Sequence, residues 1–434
     1  MNPSREKLQE WISDAREKTL QLVQDLSEEQ LLGPQLDIVN PLLWEIGHVA
    51  WFQEKWVLRR EKDAPSLRKD ADQLYDSIAI PHDVRWSLPL YDREETIRYL
   101  LEVREAVLQR LNSRDLSPEE LYFQLLALFH EDMHTEAFTY THQTHGWKAP
   151  RFIEEALKRA QETLPRQTSE DITGDVAIPG GEFPLGAHPQ EERFIFDNEK
   201  WAHIVSLKPF YISRTPVTQG EFLQFVESGG YEERKYWDEE GWKWKCQEDA
   251  HHPVYWRKSK GEWERRVFDR WVPLEPHKPM IHVNWFEANA YCRWAHRRLP
   301  TEAEWEFAAS WDPTLGRKRL YPWGDTPPTP EQGNLDWFYG DTVDVSLFPK
   351  GDSPYGCRQM IGNVWEWTSS PFLPYPGFVP DAYKEYSEPW FHTRKVLRGG
   401  CWCTRSRLIN NFYRNFYTPD RRDVWAGFRT CALT

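Results

Sequence analysis

The sequence predicts a multidomain α and α+β protein: a bundle of four helices, then a domain of short strands, short helices and loops. Three observations predict it. A chain of 434 residues is longer than one ordinary hydrophobic core organises. Up to about residue 150, apolar side chains recur at helical spacing, whereas beyond about residue 176 Gly, Pro and Trp break the chain into short segments. Between them lies a charged, mixed stretch with Pro150, Pro165, Gln167, Thr168 and Ser169. The expected boundaries are therefore 1–150 for the bundle, 151–175 for a linker and 176–434 for the second domain.

The first helix is expected over residues 5–25, where Leu8, Trp11, Ile12, Ala15, Leu20 and Val23 follow a mostly helical period. The second starts at Asn40 as cap, with Pro41 at the first helical position. It continues through Trp44, Ile46, Gly47, His48, Trp51, Phe52, Trp56 and Leu58. Residues 61–90 read as a polar, Pro-punctuated loop that includes Arg85, with Tyr91 at its far end. A third helix begins at Asp92 with Glu95 as its box partner and runs to Leu111. The fourth begins at Ser117, with Pro118 first and Glu120 completing the box, and runs to about Thr141.

In the second domain three short helices have legible starts. Thr218 with Glu221, Asn284 with Glu287, and Thr301 with Glu304 each pair a cap with an acidic residue three positions on. The rest reads as short strands and loops held by aromatic packing, with 24 Trp, 18 Tyr and 22 Phe. Such content also suits pockets for flat or cationic ligands.

A formal charge of −14 argues against a nucleic-acid binder, which normally presents a basic face. The N-terminal residues lead into a charged amphipathic stretch, and no apolar run reaches about 18 residues, so no membrane partner is expected. Six scattered cysteines without a C-x-x-C pair read as a reduced, cytoplasmic chain. No feature fixes an oligomeric state.

The chemistry concentrates at Phe129-His130-Glu131-Asp132-Met133-His134. Two histidines four apart on a helix project from one face, so both imidazoles can reach one metal ion. His48 lies among apolar neighbours on another helix, and facing helices of a bundle commonly build metal sites in their core. Literally the run is also H-E-x-x-H, the zinc-protease pattern, with Glu131 as general base and Glu154 or Glu155 as a downstream ligand. The extended protease form is absent, because Ala137 and Tyr140 stand where it requires Gly and His.

Several motifs stand in order after residue 176: Ile178–Phe183, Pro216-Val217-Thr218-Gln219-Gly220-Glu221-Phe222, Arg298-Leu299-Pro300-Thr301-Glu302-Ala303-Glu304-Trp305-Glu306, Tyr321-Pro322-Trp323-Gly324, Gly362-Asn363-Val364-Trp365-Glu366-Trp367, Arg398-Gly399-Gly400 and Ala426-Gly427-Phe428-Arg429. They resemble the formylglycine-generating-enzyme/sulfatase-modifying-factor fold, a C-type-lectin-like α+β fold. The N-terminal half resembles a DinB-like four-helix bundle. Joined in this order, the halves resemble the non-haem iron sulfoxide synthases of ergothioneine biosynthesis and the related selenoneine synthases.

The resemblance implies Fe(II) as cofactor, O2 as co-substrate, and His48, His130 and His134 as ligands. It implies two small-molecule substrates, hercynine (Nα-trimethylhistidine) and a thiol or selenol donor. It places hercynine's trimethylammonium at Asn415 and Phe416, the latter standing where mycobacterial members have Trp. Met133 replaces a substrate-holding Gln, and Tyr417 replaces an Asp that binds the amine of γ-glutamylcysteine. Arg421 matches a donor-binding arginine, and Arg85 lies where that type places others. The expected donor is therefore not γ-glutamylcysteine: cysteine, another thiol or a selenosugar fits better. For the catalytic phenol the resemblance offers Tyr383 and Tyr386, with Tyr91 and Tyr375 as competitors.

Three alternatives stand beside this reading: a zinc metalloprotease, a non-catalytic lectin-like binding module, and a copper formylglycine-generating enzyme. The last fails on its cysteine spacing, since Cys401 and Cys403 are too close together. In a strand these two would share one face as buried thiols. Asn363 and Glu366 could serve a structural calcium, although hydrogen bonding within the fold is the simpler account.

Overall fold

The Ser4 hydroxyl accepts the Lys7 amide at 3.2 Å and opens α1 (Arg5–Val23), as a helix N-cap does. The computed structural model describes residues 2–60, 64–164 and 172–433. A short α2 (Glu28–Leu32), not foreseen from the sequence, is opened by a reciprocal Ser27–Gln30 box. The next helix, α3 (Leu42–Gln53), follows Pro41 without a side-chain cap. Asn40 does not cap it; its Oδ1 instead accepts Arg85 Nη1 at 2.7 Å. Apolar residues surround α3, and it is buried along nearly its whole length. It continues into a π-helical turn, Glu54–Leu58, where the buried Glu54 carboxylate accepts the Ser66 hydroxyl at 2.8 Å.

The stretch expected as a loop holds α4 (Ala71–Tyr75) and a 3-10 turn at His82–Val84; its residues 61–63 lie outside the described residues. Asp92 caps α5 (Arg93–Ser113), accepting the Glu95 amide at 2.8 Å. Ser117 accepts the Glu120 amide at 3.2 Å at the start of α6 (Pro118–His145). The Glu120 carboxylate does not return to the cap; it takes Arg110 at 3.0 Å and Arg60 at 2.8 Å. Within the expected linker, α7 (Arg151–Thr163) is helical, while Pro165, Gln167, Thr168 and Ser169 lie outside the described residues. The strongly amphipathic α7 buries Ile153 and Ala156.

The chain divides into two compact units. The first comprises residues 1–142, 149–152 and 191–194, and its long helices α1, α3, α5 and α6 are the four expected from sequence. Leu8, Ile12, Ile46, Leu100, Val103 and Leu128 are fully or almost fully buried in its core.

The second unit comprises residues 143–148, 153–190 and 195–434. Its strands are β1 (Asp175–Ile178), β2 (Gly181–Leu185), β3 (His203–Leu207), β4 (Phe210–Ser213), β5 (Trp256–Ser259), β6 (Glu262–Val267), β7 (Arg270–Pro273), β8 (Arg297–Arg298), β9 (Trp311–Asp312), β10 (Arg317–Lys318), β11 (Trp365–Pro371), β12 (Lys395–Arg398), β13 (Asn415–Tyr417), β14 (Ala426–Gly427) and β15 (Cys431–Ala432). They form small sheets, among them β1-β4-β15-β8 and β13-β12-β11-β14. In the latter, β12 pairs antiparallel with β13 so that Val396 faces Phe416.

The helices α8 (Gln219–Glu227), α10 (Trp285–Trp294) and α11 (Glu302–Ser310) all start with the two-sided boxes expected at Thr218, Asn284 and Thr301. An additional α9 (Glu239–Gln247) starts at Asp238. Cys401 and Cys403 lie in a turn and not in a strand: Thr404 N donates to Cys401 O at 3.0 Å. No helix among the described residues is long and apolar enough to cross a membrane.

Candidate metal centre

Three imidazoles meet inside the bundle. His48 comes from the buried α3; His130 and His134 come from successive turns of α6. Their ring centroids are separated by 5.0 Å (His48–His130), 5.2 Å (His48–His134) and 4.5 Å (His130–His134). One nitrogen from each ring lies within 4.8 Å of the others, a spacing that lets a single ion bind all three.

The outward nitrogens fix how the rings face. His48 Nδ1 lies 2.8 Å from the Tyr75 carbonyl, which can only accept, so Nδ1 carries the proton and Nε2 keeps its lone pair. His134 Nδ1 lies 2.7 Å from Glu45 Oε1, which imposes the same tautomer. Its Nε2 lies 3.3 Å from His130 Nε2. Trp44 stacks on His48 at 5.0 Å and Phe52 on His130 at 3.6 Å, so the rings are held by aromatic packing as well. Burial pushes both His48 and His130 well below the ordinary histidine range, and the neighbouring imidazoles add to it. Both rings are therefore held neutral, the state a metal requires of an imidazole ligand. The all-nitrogen donor set suits a borderline divalent ion such as iron(II) or zinc, and three ligands leave coordination positions open.

Glu131 does not serve this centre. Its carboxylate accepts Arg16 Nε at 2.8 Å, Arg16 Nη2 at 3.2 Å and the Thr19 hydroxyl at 2.8 Å. A protease base must instead face the metal and a water, so the zinc-protease reading of H-E-x-x-H is overturned by this buried ion pair. The orienting carboxylate is Glu45, which the sequence reading missed. Its position three residues before His48 on the same helix face was the available signal.

Of the other expected residues in this unit, Arg85 lies 4.0 Å over the Trp44 ring, which itself stacks on His48. Its guanidinium donates to Asn40 Oδ1 and to the Ser77 and Ile80 carbonyls. The Tyr91 hydroxyl donates to Asp70, and burial first, then that carboxylate, pushes the phenol far up. Met133 is half-buried beside His134.

A second set gathers on β13 and the loop before β12. The Phe416 ring stacks on Phe372 at 4.1 Å and meets Tyr386 edge-on at 5.7 Å. Tyr386 and Tyr413 share a hydroxyl hydrogen bond of 3.2 Å, and Tyr383 lies 6.3 Å from Tyr386. Burial pushes the Tyr386 phenol far up, so it stays protonated. The loop is fastened by Ser387, whose hydroxyl donates to Asp197 and accepts from Asn198 at 3.0 Å. Arg414, next to Asn415, binds both Glu302 oxygens and the Asn198 and Leu373 carbonyls. Asn415 Oδ1 accepts the Phe416 amide at 2.8 Å. Arg421 forms a two-point pair with Asp423 and lies 5.2 Å over the Tyr417 ring. Tyr375 is buried against the same ion pair: its hydroxyl donates to Glu302 at 3.2 Å and Arg414 lies 4.0 Å over its ring.

At Asn363 and Glu366, hydrogen bonding within the fold accounts for both side chains. Asn363 is fully engaged by Asn334, Val343 and Gln359. Glu366 pairs with Arg429 at 2.6 and 2.8 Å and accepts Trp305 Nε1 at 2.7 Å. A surface cavity of about 630 Å³ near Thr218, Glu221, Tyr291 and Arg297 contains none of the expected site residues.

Comparison with known proteins matches residues 12–139 to the DinB superfamily and residues 160–433 to the sulfatase-modifying factor enzyme 1-like domain. The chain is 36% identical over 434 residues to a hercynine oxygenase of Mycolicibacterium thermoresistibile, covering 98% of this chain and 95% of the relative. It is 34% identical over 433 residues to a hercynine oxygenase of Mycolicibacterium smegmatis, covering 98% of each. Among solved structures, PvdO from Pseudomonas aeruginosa matches with a TM-score of 0.43 and 22% identity, over 60% of this chain and 94% of that one.

Proposed function

Because the chain belongs to the hercynine oxygenase family and is an oxidoreductase, we propose that it joins a chalcogen donor to the imidazole carbon of hercynine that lies between the two nitrogens. The observation that carries this is the convergence of three neutral imidazoles in the bundle. His48, His130 and His134 would hold iron(II), which when bound would supply the oxygen activation. The overall reaction balances: the imidazole C–H, the donor S–H and O2 give a C–S bond, an S–O bond and water.

The chain's own residues divide the remaining work. Glu45 and the Tyr75 carbonyl hold the ring tautomers. Phe416 offers an aromatic face to the trimethylammonium, and Asn415 flanks it on the same strand. The loop phenols Tyr383 and Tyr386 are the proton or hydrogen source for the reaction, with Tyr383 favoured. Met133 and Arg85 complete the set of substrate-binding side chains.

The donor reading follows from Tyr417 and Arg421. Arg421 is already neutralised by Asp423, and Tyr417 offers no acidic group for a donor amine. A thiol smaller than γ-glutamylcysteine, such as cysteine, is the first reading. The same uncharged Tyr417 favours a selenosugar as the second, with a C–Se bond formed in its place.

Anaerobic loading with Fe(II), followed by oxygen uptake with hercynine, tests both. The donor panel contains cysteine, γ-glutamylcysteine and a selenosugar, and products are read by mass. Hercynine-dependent uptake with one donor and a hercynyl adduct is the expected result. Iron-loaded, folded protein that consumes no oxygen with any donor refutes the proposal.

A further inference from the structure

Two thiols that the proposed reaction does not use stand in sulfur–sulfur contact. Cys401 Sγ lies 3.4 Å from Cys403 Sγ, and both residues have no exposed surface. The contact is built by the backbone. Gly399 and Gly400 both adopt positive φ, 98° and 79°, and turn the chain immediately before the pair. Cys401–Thr404 then closes as a tight turn, and the Thr404 hydroxyl accepts the Cys401 amide at 2.9 Å while lying 3.3 Å from its sulfur. Trp402, between the two, is fixed by hydrogen bonds from its amide to Asn363 O at 3.1 Å and from the Trp337 amide to its carbonyl at 2.9 Å. Two side chains that would point the same way in parallel from a strand are thereby turned toward each other. Burial holds the thiols of Cys357 and Cys431 up at about 11 and about 12, which fits inert core residues.

We propose that Cys401 and Cys403 form a second metal site, a two-thiolate chelate for a divalent ion that takes tetrahedral sulfur ligation, zinc before others. The bite decides the class of ion. With metal–sulfur bonds of about 2.3 Å, a 3.4 Å separation corresponds to an angle of about 95° at the metal, within reach of tetrahedral geometry. A linear two-coordinate ion would need the sulfurs roughly 4.6 Å apart at the same bond length. Charge agrees with burial. The divalent ion displaces one proton from each thiol to solvent, and the resulting metal dithiolate is neutral, so no net charge is buried.

Cobalt(II) separates this site from the histidine centre, because only thiolate ligation gives a sulfur-to-cobalt charge-transfer band in the near ultraviolet. Full-length chain is stripped with chelator under reducing, anaerobic conditions and titrated with Co(II). The expected result is that band, saturating at one equivalent per chain, retained in His134→Ala and lost in both Cys401→Ser and Cys403→Ser. A wild-type chain without the band at saturating cobalt overturns the proposal, as does a band that survives both cysteine substitutions. If the cysteine variants do not fold, the zinc-loaded His134→Ala chain is titrated with an organomercurial. Release of one zinc per chain as the thiols react supports the site, and release of none overturns it.

Discussion

Glu45 Oε1 sits 2.7 Å from His134 Nδ1, so that this histidine rests on a carboxylate. His48 rests on a backbone carbonyl instead. A carboxylate raises the basicity of the imidazole it holds and fixes its tautomer, and losing such a partner typically costs 10–100-fold in metal affinity. Glu45→Gln is expected to weaken Co(II) or Fe(II) binding by about that factor, with the helical circular dichroism unchanged. Titration of the stripped protein checks it. Wild-type affinity in the variant would remove Glu45 from the centre's design.

Glu131 is expected to matter for stability and not for the metal. Its pair with Arg16 is buried, with side-chain exposures of 0% and 1%. Removing one partner leaves the other charge uncompensated, at a cost of about 3–5 kcal/mol. Glu131→Gln should therefore lower the melting temperature of the bundle while a folded sample still binds Fe(II) with near wild-type affinity. The opposite pattern, full stability with lost metal binding, would return Glu131 to the centre.

Gly47 is expected to tolerate no side chain. A Cβ there would lie 2.2 Å from Tyr75 Cε1, and Tyr75 has no exposed surface into which to retreat. Overpacking of this kind costs about 1–3 kcal/mol. The same shift moves the Tyr75 carbonyl that holds His48. Gly47→Ala should lower both melting temperature and metal affinity, measured by thermal unfolding and Co(II) titration.

Much of this was legible in the sequence, and what was not has identifiable physical causes. Period and capping residues located the long helices and the boxes at Thr218, Asn284 and Thr301, because those signals are local. Asn40 misled because its side chain found a better partner in Arg85, 45 residues away. The amphipathic α7 was hidden by its charge, and α9 by its four Glu and Lys positions among aromatics. The histidine trio was readable from spacing and family resemblance, whereas the choice between Glu45 and Glu131 as the orienting carboxylate was not. Both are acidic residues next to or one turn from a ligand, and only the tertiary position of Arg16 sends Glu131 away. The contact between Cys401 and Cys403 depends on a turn set by two left-handed glycines, which the strand expectation passed over.

Asp341 is expected to give the second unit an acid-sensitive stability. Burial works to raise its carboxyl, but Arg265 and Lys278, the latter at 3.0 Å, outweigh it and hold the group well below its ordinary value of 3.8. A depressed acid means that the unfolded chain binds the proton more readily. The stabilisation is then fully present above about pH 4 and is lost as pH falls through the folded value. Asp341→Asn should be clearly less stable than wild type at pH 7, by about 3–5 kcal/mol for a broken buried pair. The gap should narrow on acidification below pH about 4. Melting curves of both proteins across pH check the sign; a gap that widens in acid would contradict it.

The loop phenols are expected to separate cleanly. Tyr386 is tied to Tyr413 by the 3.2 Å hydroxyl contact and packs against Phe196 at 4.5 Å and Phe416 at 5.7 Å. Its hydroxyl thus has a protein partner, and Tyr386→Phe removes one hydrogen bond worth about 0.5–1.5 kcal/mol while leaving the ring packing. The expected result is a modest loss of stability and a raised KM for hercynine through the Phe416 contact, with kcat within about tenfold of wild type. Tyr383, at 6.3 Å from Tyr386, is half-buried on the same loop. Positioned proton transfer typically contributes 10²–10⁴-fold to a rate. Tyr383→Phe should therefore lower kcat by about 100-fold or more and raise the share of oxygen consumed without adduct formation, while iron content stays at wild-type level. Steady-state oxygen uptake paired with product mass for the two variants decides between them. Wild-type turnover and product ratio in Tyr383→Phe would remove it from the chemistry, and a kcat collapse confined to Tyr386→Phe would transfer the role to its neighbour.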